Sequence, residues 1–331
     1  MSLFPGAKLI GNLWNEKKLE QRATRDGYGV GLVVAGKHNN HVVALCADLT
    51  ESTRSDGFAK NFPDRFFECG VAEQNMACVA AGLALGGKIP FIASYAAFSP
   101  GRNWEQIRTT IAYNKANVKI MGHHAGISVG PDGATHQMTE DIALMRAMPN
   151  MRVIVPCDAV ETEKAVCVAA QIVGPVYIRF AREKSSVFTT PATPFTLGKA
   201  EVFWWSDQPR VALIGCGSLV YACLQAARLL ERGQIGSVVV NCPTIKPLDE
   251  KKIAEVVKKC GAVVTVEEHQ IAGGLGGAVA EALARHNPVP MEFIGMQDTF
   301  GESGIPYELA AHYGMDVSSI VQAVKKVLAR I

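Results

Sequence analysis

From His41 onward, short β-branched runs alternate with longer amphipathic stretches. That alternation leaves few folds open. Buried strands separated by helices read as an α/β chain built on parallel sheets. Candidate strands in the first half are Val42–Cys46, Phe66–Cys69, Ile89–Ser94, Val118–Met121, Val153–Val155 and Val176–Phe180. Helical candidates between them are Ala72–Gly86, Asn103–Lys115, Thr139–Met148 and Ala159–Val173. The opening stretch Glu16–Val34 reads as one further helix, although Gly27, Gly29 and Gly31 weaken its second half. Around Lys184–Lys199 the pattern lapses into Ser, Thr and Pro without periodicity, which predicts a linker. Alternation resumes with Val211–Ile214, Leu219–Glu231, Ser237–Asn241, Glu250–Lys259, Val263–Val266, Gly276–His286, Met291–Ile294 and a terminal helix from Val317. The expected architecture is α/β with two doubly wound domains, residues 1–185 and 199–331, joined by a linker over 186–198.

A chain of 331 residues can bury two sizeable cores without disulfide or metal staples. Its 33 Lys and Arg against 31 Asp and Glu leave almost no net charge, which argues against a nucleic-acid or acidic-membrane partner. Charged residues make up 19%, below the roughly 25% of ordinary soluble proteins. The shortfall suggests surface hidden against a partner chain. Nine scattered cysteines show no metal spacing and read as reduced core thiols of a cytoplasmic protein. Met1–Pro5 lacks the pattern of a signal peptide. The best candidate membrane span, Met76–Gly87, is only 12 residues long and too short for a bilayer.

Some residues could carry chemistry. Gly215-Cys216-Gly217 lacks the third glycine and acidic residue of a dinucleotide site, and Gly273–Gly277 opens a helix. Tight strand-to-helix turns are the plain reading of both. Glu73 follows a strand, in the first turn of an apolar helix. It reads either as a solvated glutamate favoured by the helix dipole or as a ligand group. The run Met76–Ala81 is apolar nearly all round, which predicts a buried helix. Its first turn would then hold the carboxyl at the carboxyl edge of the sheet, where α/β proteins place ligands.

The loop Gly130–Gln137 holds Asp132 and His136, and His124 lies six residues before Gly130. Two imidazoles and a carboxylate could shuttle protons near neutral pH. Alternatively, Asp132 simply makes the turn and His136 caps a helix. The spacing matches no usual metal-ligand set, so no metal is expected. Arg25, Ser52 and Arg182 stand at element ends, as anion contacts or as ordinary surface residues. Tyr95 and Phe98 follow a strand in an Ala-rich, uncharged neighbourhood, as core or as a platform for a flat ligand.

In this order, these fragments resemble the C-terminal half of transketolase from about Ala23 to the C-terminus. The most specific parts are the Ala72-Glu73-Gln74 block, the block from Asp132 to Gln137, and the segment from Gly174-Pro175 to Arg182. Members of that family use thiamine diphosphate and have diphosphate-binding, pyrimidine-binding and C-terminal domains. The resemblance implies a pyrimidine-binding domain over 1–185 and a transketolase C-terminal domain over 199–331. No Gly-Asp-Gly with a downstream Asn, which would hold Mg²⁺ and the diphosphate, occurs in the sequence. One subunit of a split enzyme is therefore implied. A separate N-terminal subunit would carry the diphosphate and Mg²⁺ site, and the chain would self-associate as a dimer.

By the same resemblance, Glu73 hydrogen-bonds N1′ of the aminopyrimidine and favours its imino tautomer. A carboxyl in an apolar pocket keeps its proton more readily than one in water. Asp48 is implied near the thiamine ring, with Tyr95 and Phe98 lining the pyrimidine pocket and Phe98 as the stacking ring. Asp132 would select a donor hydroxyl, and His136 would act as a base near the donor carbonyl. Arg25, Ser52, His124 and Arg182 would hold the sugar phosphate, since two guanidiniums with a hydroxyl and an imidazole suit a phosphate dianion. The implied activity is transfer of a two-carbon ketol unit between sugar phosphates, as in the pentose phosphate pathway.

Two positions depart from the family pattern. Gly101 stands where many transketolases carry Tyr and deoxyxylulose phosphate synthases carry Arg, and Met138 stands where transketolases often have Pro. Three alternatives follow: a deoxyxylulose phosphate synthase-like chain, a 2-oxoacid dehydrogenase beta-type subunit, or a non-catalytic regulatory subunit that kept the fold.

Overall fold

In the computed structural model, which describes residues 2–331, the alternation becomes two large sheets wrapped by helices, with a two-stranded sheet beside them. The first half supplies β1 (Gln21–Ala23), β2 (Val42–Cys46), β3 (Phe66–Glu68), β4 (Ile89–Tyr95), β5 (Lys119–His123), β6 (Arg152–Ile154), β7 (Val176–Arg179) and β8 (Lys184–Ser186). Its helices are α1 (Thr24–His38), α2 (Asp56–Asn61), α3 (Glu73–Leu85), α4 (Trp104–Gln106), α5 (Asp141–Ala147) and α6 (Ala159–Gln171). The second half supplies β9 (Glu201–Trp205), β10 (Pro209–Gly215), β11 (Gly236–Asn241), β12 (Thr244–Lys246), β13 (Val263–Gln270) and β14 (Met291–Met296). With these go α7 (Val220–Arg232), α8 (Glu250–Cys260), α9 (Leu275–His286), α10 (Pro306–His312) and α11 (Val317–Leu328).

The large sheet runs β12-β6-β7-β5-β4-β2-β3. Strands β6, β7, β5, β4, β2 and β3 are mutually parallel, so their carboxyl ends open on one edge. Strands β2, β5 and β7 are fully buried, as expected of central strands in a parallel sheet covered on both faces, and the burial takes in Lys119, His123 and Arg179. The second sheet runs β14-β13-β10-β11-β9, with only β9 antiparallel to its neighbour. Strand β12 leaves the second half and closes the large sheet antiparallel to β6. The sheets are therefore mixed, each with one antiparallel edge strand.

Two expectations from the sequence need correction, and the predicted linker gains a detail. The predicted helix Glu16–Val34 breaks into a short turn at Glu16–Lys18, strand β1 and then α1. Its glycines belong to the helix rather than ending it. A Cβ on Gly27 would collide with Ala159 O, and one on Gly31 would lie 3.0 Å from Glu163 O, so the bare backbone lets α1 sit directly on α6. The predicted linker begins as β8, paired with β1. Its remainder is fastened: Asp158 accepts from the amides of Phe188 and Thr189, and Lys164 Nζ donates to the carbonyls of Thr190 and Thr193. Finally, α3 buries one face only. Met76, Ala77, Ala80 and Ala81 pack inward, while Val71, just before the helix, and Val79 and Leu85 on it are 70%, 40% and 73% exposed.

Residues before β1 pack with the second half. Ala7, Leu13 and Leu19 join the cluster that contains Phe203, Trp204, Val239 and Leu224. A second cluster, including Met76, Ile92, Met145, Val153, Ile214 and Leu275, runs continuously between the two halves. Among the described residues, no helix is long and apolar enough to cross a membrane. All nine cysteines are free.

Candidate active site

The open edge of the large sheet collects the candidate residues. Asp48 and Ser52 follow β2, Glu73 follows β3, Tyr95 ends β4 and leads to Phe98, His124 follows β5, and Arg182 follows β7. Arg25 arrives differently: the β1–β8 pair fixes the start of α1 beside the end of β7, and Thr24 Oγ1 accepts from the Ala181 amide at 2.8 Å. Asp48 and His124 adopt left-handed backbone with φ of 58° and 55°. Residues forced into that region often mark functional edges, and Asp and His tolerate it better than most.

Three contact groups result. In the first, Arg25 Nη1 donates to Ser52 O at 2.9 Å and lies 3.3 Å from His124 Nε2. The Tyr95 hydroxyl donates to Ser52 Oγ at 3.2 Å, and its ring stacks on His124 at 3.8 Å. Burial, then Arg25 and Arg182, push the His124 imidazole down to about 3. The ring is therefore neutral at neutral pH, which corrects its expected part in proton shuttling. Facing an arginine N–H, Nε2 must accept, so Nδ1 carries the hydrogen. His124 Nδ1 and Arg25 Nε are both buried without a partner. Two orphaned donors at one place suit an acceptor-rich ligand.

The second group is Asp132 and Arg182, with His136 farther along the same loop against Phe98. Arg182 Nη1 donates to Val129 O at 2.7 Å and lies 3.6 Å from Asp132 Oδ1. His136 stands edge-on to Phe98 with centroids 5.5 Å apart, and its Nδ1 is 2.9 Å from the Thr135 hydroxyl. Gln137 anchors the loop by donating from Nε2 to Glu302 O at 3.0 Å.

The third group surrounds Glu73, the first residue of α3. Its carboxylate, 2% exposed, accepts from Arg102 Nη1 at 2.7 Å, and Asn103 Nδ2 donates to its carbonyl at 3.0 Å. The Arg102 guanidinium lies 4.8 Å from the Phe98 ring centroid, and Phe98 is stacked with Tyr95 at 5.9 Å and 13°. The expected apolar pocket around Glu73 is thus an ion pair in this chain. At Gly101, one of the two departures, a Cβ would collide with Ala97 O, and the guanidinium on Glu73 comes from the next residue, Arg102.

Sequence reasoning missed Arg102 and two supporting acids. The Glu68 carboxylate accepts from the amides of Asp48 and Gly70 at 2.7 and 3.0 Å and from Thr50 Oγ1 at 2.7 Å, tying together the loops after β2 and β3. Asp48 joins this network through its backbone amide, and the structure does not bring its side chain onto the other candidates. Glu268 Oε1, from β13, accepts from Ser128 N at 2.6 Å and so holds the loop after β5. The glycine run that opens α9 is also accounted for. Glu267 accepts from the Leu275 and Gly276 amides at 2.7 Å each, which leaves that anion site taken by the protein itself. Among the described residues, no group of three His, Cys, Asp or Glu is placed to hold a metal ion.

The sequence and the fold both match known proteins. The model of the transketolase pyrimidine-binding domain matches residues 20–186, and that of the transketolase C-terminal domain matches 198–320. A transketolase C-terminal section of Methanocaldococcus jannaschii is 45% identical over 307 residues, covering 92% of this chain and 95% of its own. The solved structure of a split-gene transketolase, an inactive β4 tetramer, shares 45% identity and a TM-score of 0.86, covering 93% of this chain and 98% of that one. The transketolase of Rattus norvegicus is 37% identical over 96% of this chain, which spans only 51% of the rat protein.

Proposed function

Because the chain belongs to the transketolase family, we propose that it is the pyrimidine-side subunit of a split, thiamine-diphosphate-dependent transketolase. Paired with a separate diphosphate-binding subunit, it would move a two-carbon ketol unit from a ketose phosphate to an aldose phosphate. The observation that carries this reading is the frame made by buried Glu73 and Phe98. An aminopyrimidine needs a flat apolar face and a carboxyl at its edge. The planar Arg102 guanidinium uses Phe98 and Glu73 in that way, so the residues fit the ring. When bound, the cofactor supplies the carbon nucleophile for breaking and remaking the bond beside a sugar carbonyl.

This chain's residues would do the rest. Glu73 would hold a proton at the ring nitrogen N1′, and Phe98, backed by Tyr95, would orient the ring. His136 would move a proton at the donor's carbonyl end, with Asp132 meeting a donor hydroxyl. Arg25 and Arg182 would hold the phosphate, with Nδ1–H of neutral His124 and the Ser52 hydroxyl as further donors. Mg²⁺ and the diphosphate fall to the partner chain. That agrees with the half-length match to the rat enzyme. Residues 1–185 would serve the cofactor and 199–331 the assembly, across 186–198.

The test reconstitutes this chain with a diphosphate-binding subunit, thiamine diphosphate, Mg²⁺ and a ketose phosphate–aldose phosphate pair. Ketol transfer is expected, and Glu73→Ala should lower it by more than about 10²-fold, the scale of acid–base catalysis. Release of CO₂ from pyruvate would replace ketol transfer with a decarboxylating reaction. Activity within about tenfold in Glu73→Ala would instead make the chain a non-catalytic subunit.

A further inference from the structure

The frame of Glu73 and Phe98 is filled by the chain's own side chain. Arg102 lies over the Phe98 ring, 4.8 Å from its centroid, and donates from Nη1 to Glu73 Oε2 at 2.7 Å. The two partners differ in setting: the Glu73 side chain is 2% exposed and that of Arg102 is 47% exposed. The anion is fixed at the helix start, while the cation reaches in from solvent. That bond is the guanidinium's only hydrogen bond among the described residues. A planar donor that lies over an aromatic ring and bonds a carboxylate uses the same two groups that an aminopyrimidine would use. The Phe98 face and Glu73 Oε2 cannot serve both at once.

Resting on the reading of Glu73 and Phe98 given above, we propose that Arg102 is a stand-in for the pyrimidine ring. In the unpaired chain it occupies the half-site and must swing into solvent before the ring enters. The arrangement keeps a buried carboxylate partnered, which otherwise costs stability. Release returns a half-exposed guanidinium to solvent, and the ring takes over its place on the carboxylate. Apparent affinity for the ring is then reduced by the fraction of time the half-site is open.

The experiment titrates the full chain with hydroxymethylpyrimidine, the cofactor's ring fragment, using ligand-observed NMR and calorimetry. Wild type, Arg102→Ala, and Arg102→Ala combined with Glu73→Gln are compared, and each is melted without ligand. Arg102→Ala is expected to bind the fragment about tenfold tighter, to melt lower, and to lose the gain when Glu73→Gln is added. Arg102→Lys keeps the charge but cannot lie flat on Phe98. It should bind with intermediate affinity, and it carries the test if the alanine variant fails to fold. Glu73-dependent binding that is unchanged or weaker in both arginine variants overturns the stand-in and leaves the pyrimidine site standing. Binding that is absent throughout, or independent of Glu73, overturns both.

Discussion

His124 shows how the proposed anion site can include a histidine that carries no charge. Its folded value is pushed down to about 3, first by burial and then by Arg25 and Arg182. An unfolded histidine takes its proton near 6.5. Between those values the unfolded chain binds more protons than the folded one, so the folded state loses stability as pH falls from 6.5 toward 3. His123, buried with both ring nitrogens unpartnered, shifts the same way and adds to the loss. His124→Asn, a residue that tolerates the backbone at this position, should lose less stability than wild type between pH 7 and pH 4. Urea unfolding at fixed pH values measures this, and parallel curves would refute it. At this scale the sequence was informative about Glu73, Phe98, His124 and Arg182, because each follows a recognisable strand. Arg102 was not legible. Its only signal was a cation closing the uncharged run Ile89–Gly101, and nothing local says that the preceding glycine has no room for a side chain.

Among elements, the α1–α6 contact depends on what is absent from the helix. Gly27 and Gly31 cost α1 intrinsic stability but let its backbone touch Ala159 and Glu163. Gly27→Ala should therefore destabilise the chain by about 1–3 kcal/mol, the usual cost of overpacking, although alanine is the better helix former. A urea midpoint equal to or above wild type would show that the contact can relax. The same glycines weakened the predicted helix, since propensity is local and this packing is not. The long buried strands β2, β4 and β13 were legible from their apolar runs. The three-residue strands β1, β8 and β12 were not. Gln21-Arg22-Ala23 and Lys184-Ser185-Ser186 carry no strand pattern and become strands because each finds the other. That pairing places Arg25, so part of the site rests on elements with no signal of their own.

Over the whole molecule, the low charge content and the uncovered apolar side of α3 point the same way. Val71, Val79 and Leu85 are exposed apolar side chains on or just before that helix. Under the proposed function, the chain alone should bind thiamine diphosphate with Mg²⁺ barely or not at all by calorimetry, and should self-associate in sedimentation. Tight, Mg²⁺-dependent binding by the lone chain would show that it builds a complete site unaided. The strand Thr244–Lys246 has a different consequence. It is the outermost member of a sheet whose other six strands come from the first half, so the seam in the chain and the seam in the sheet do not coincide. A fragment cut within 186–198 would expose Arg152–Ile154 as a bare edge, a template for pairing with any passing strand. Three residues of the second half close that edge, and an excised first half should be sticky until they are returned.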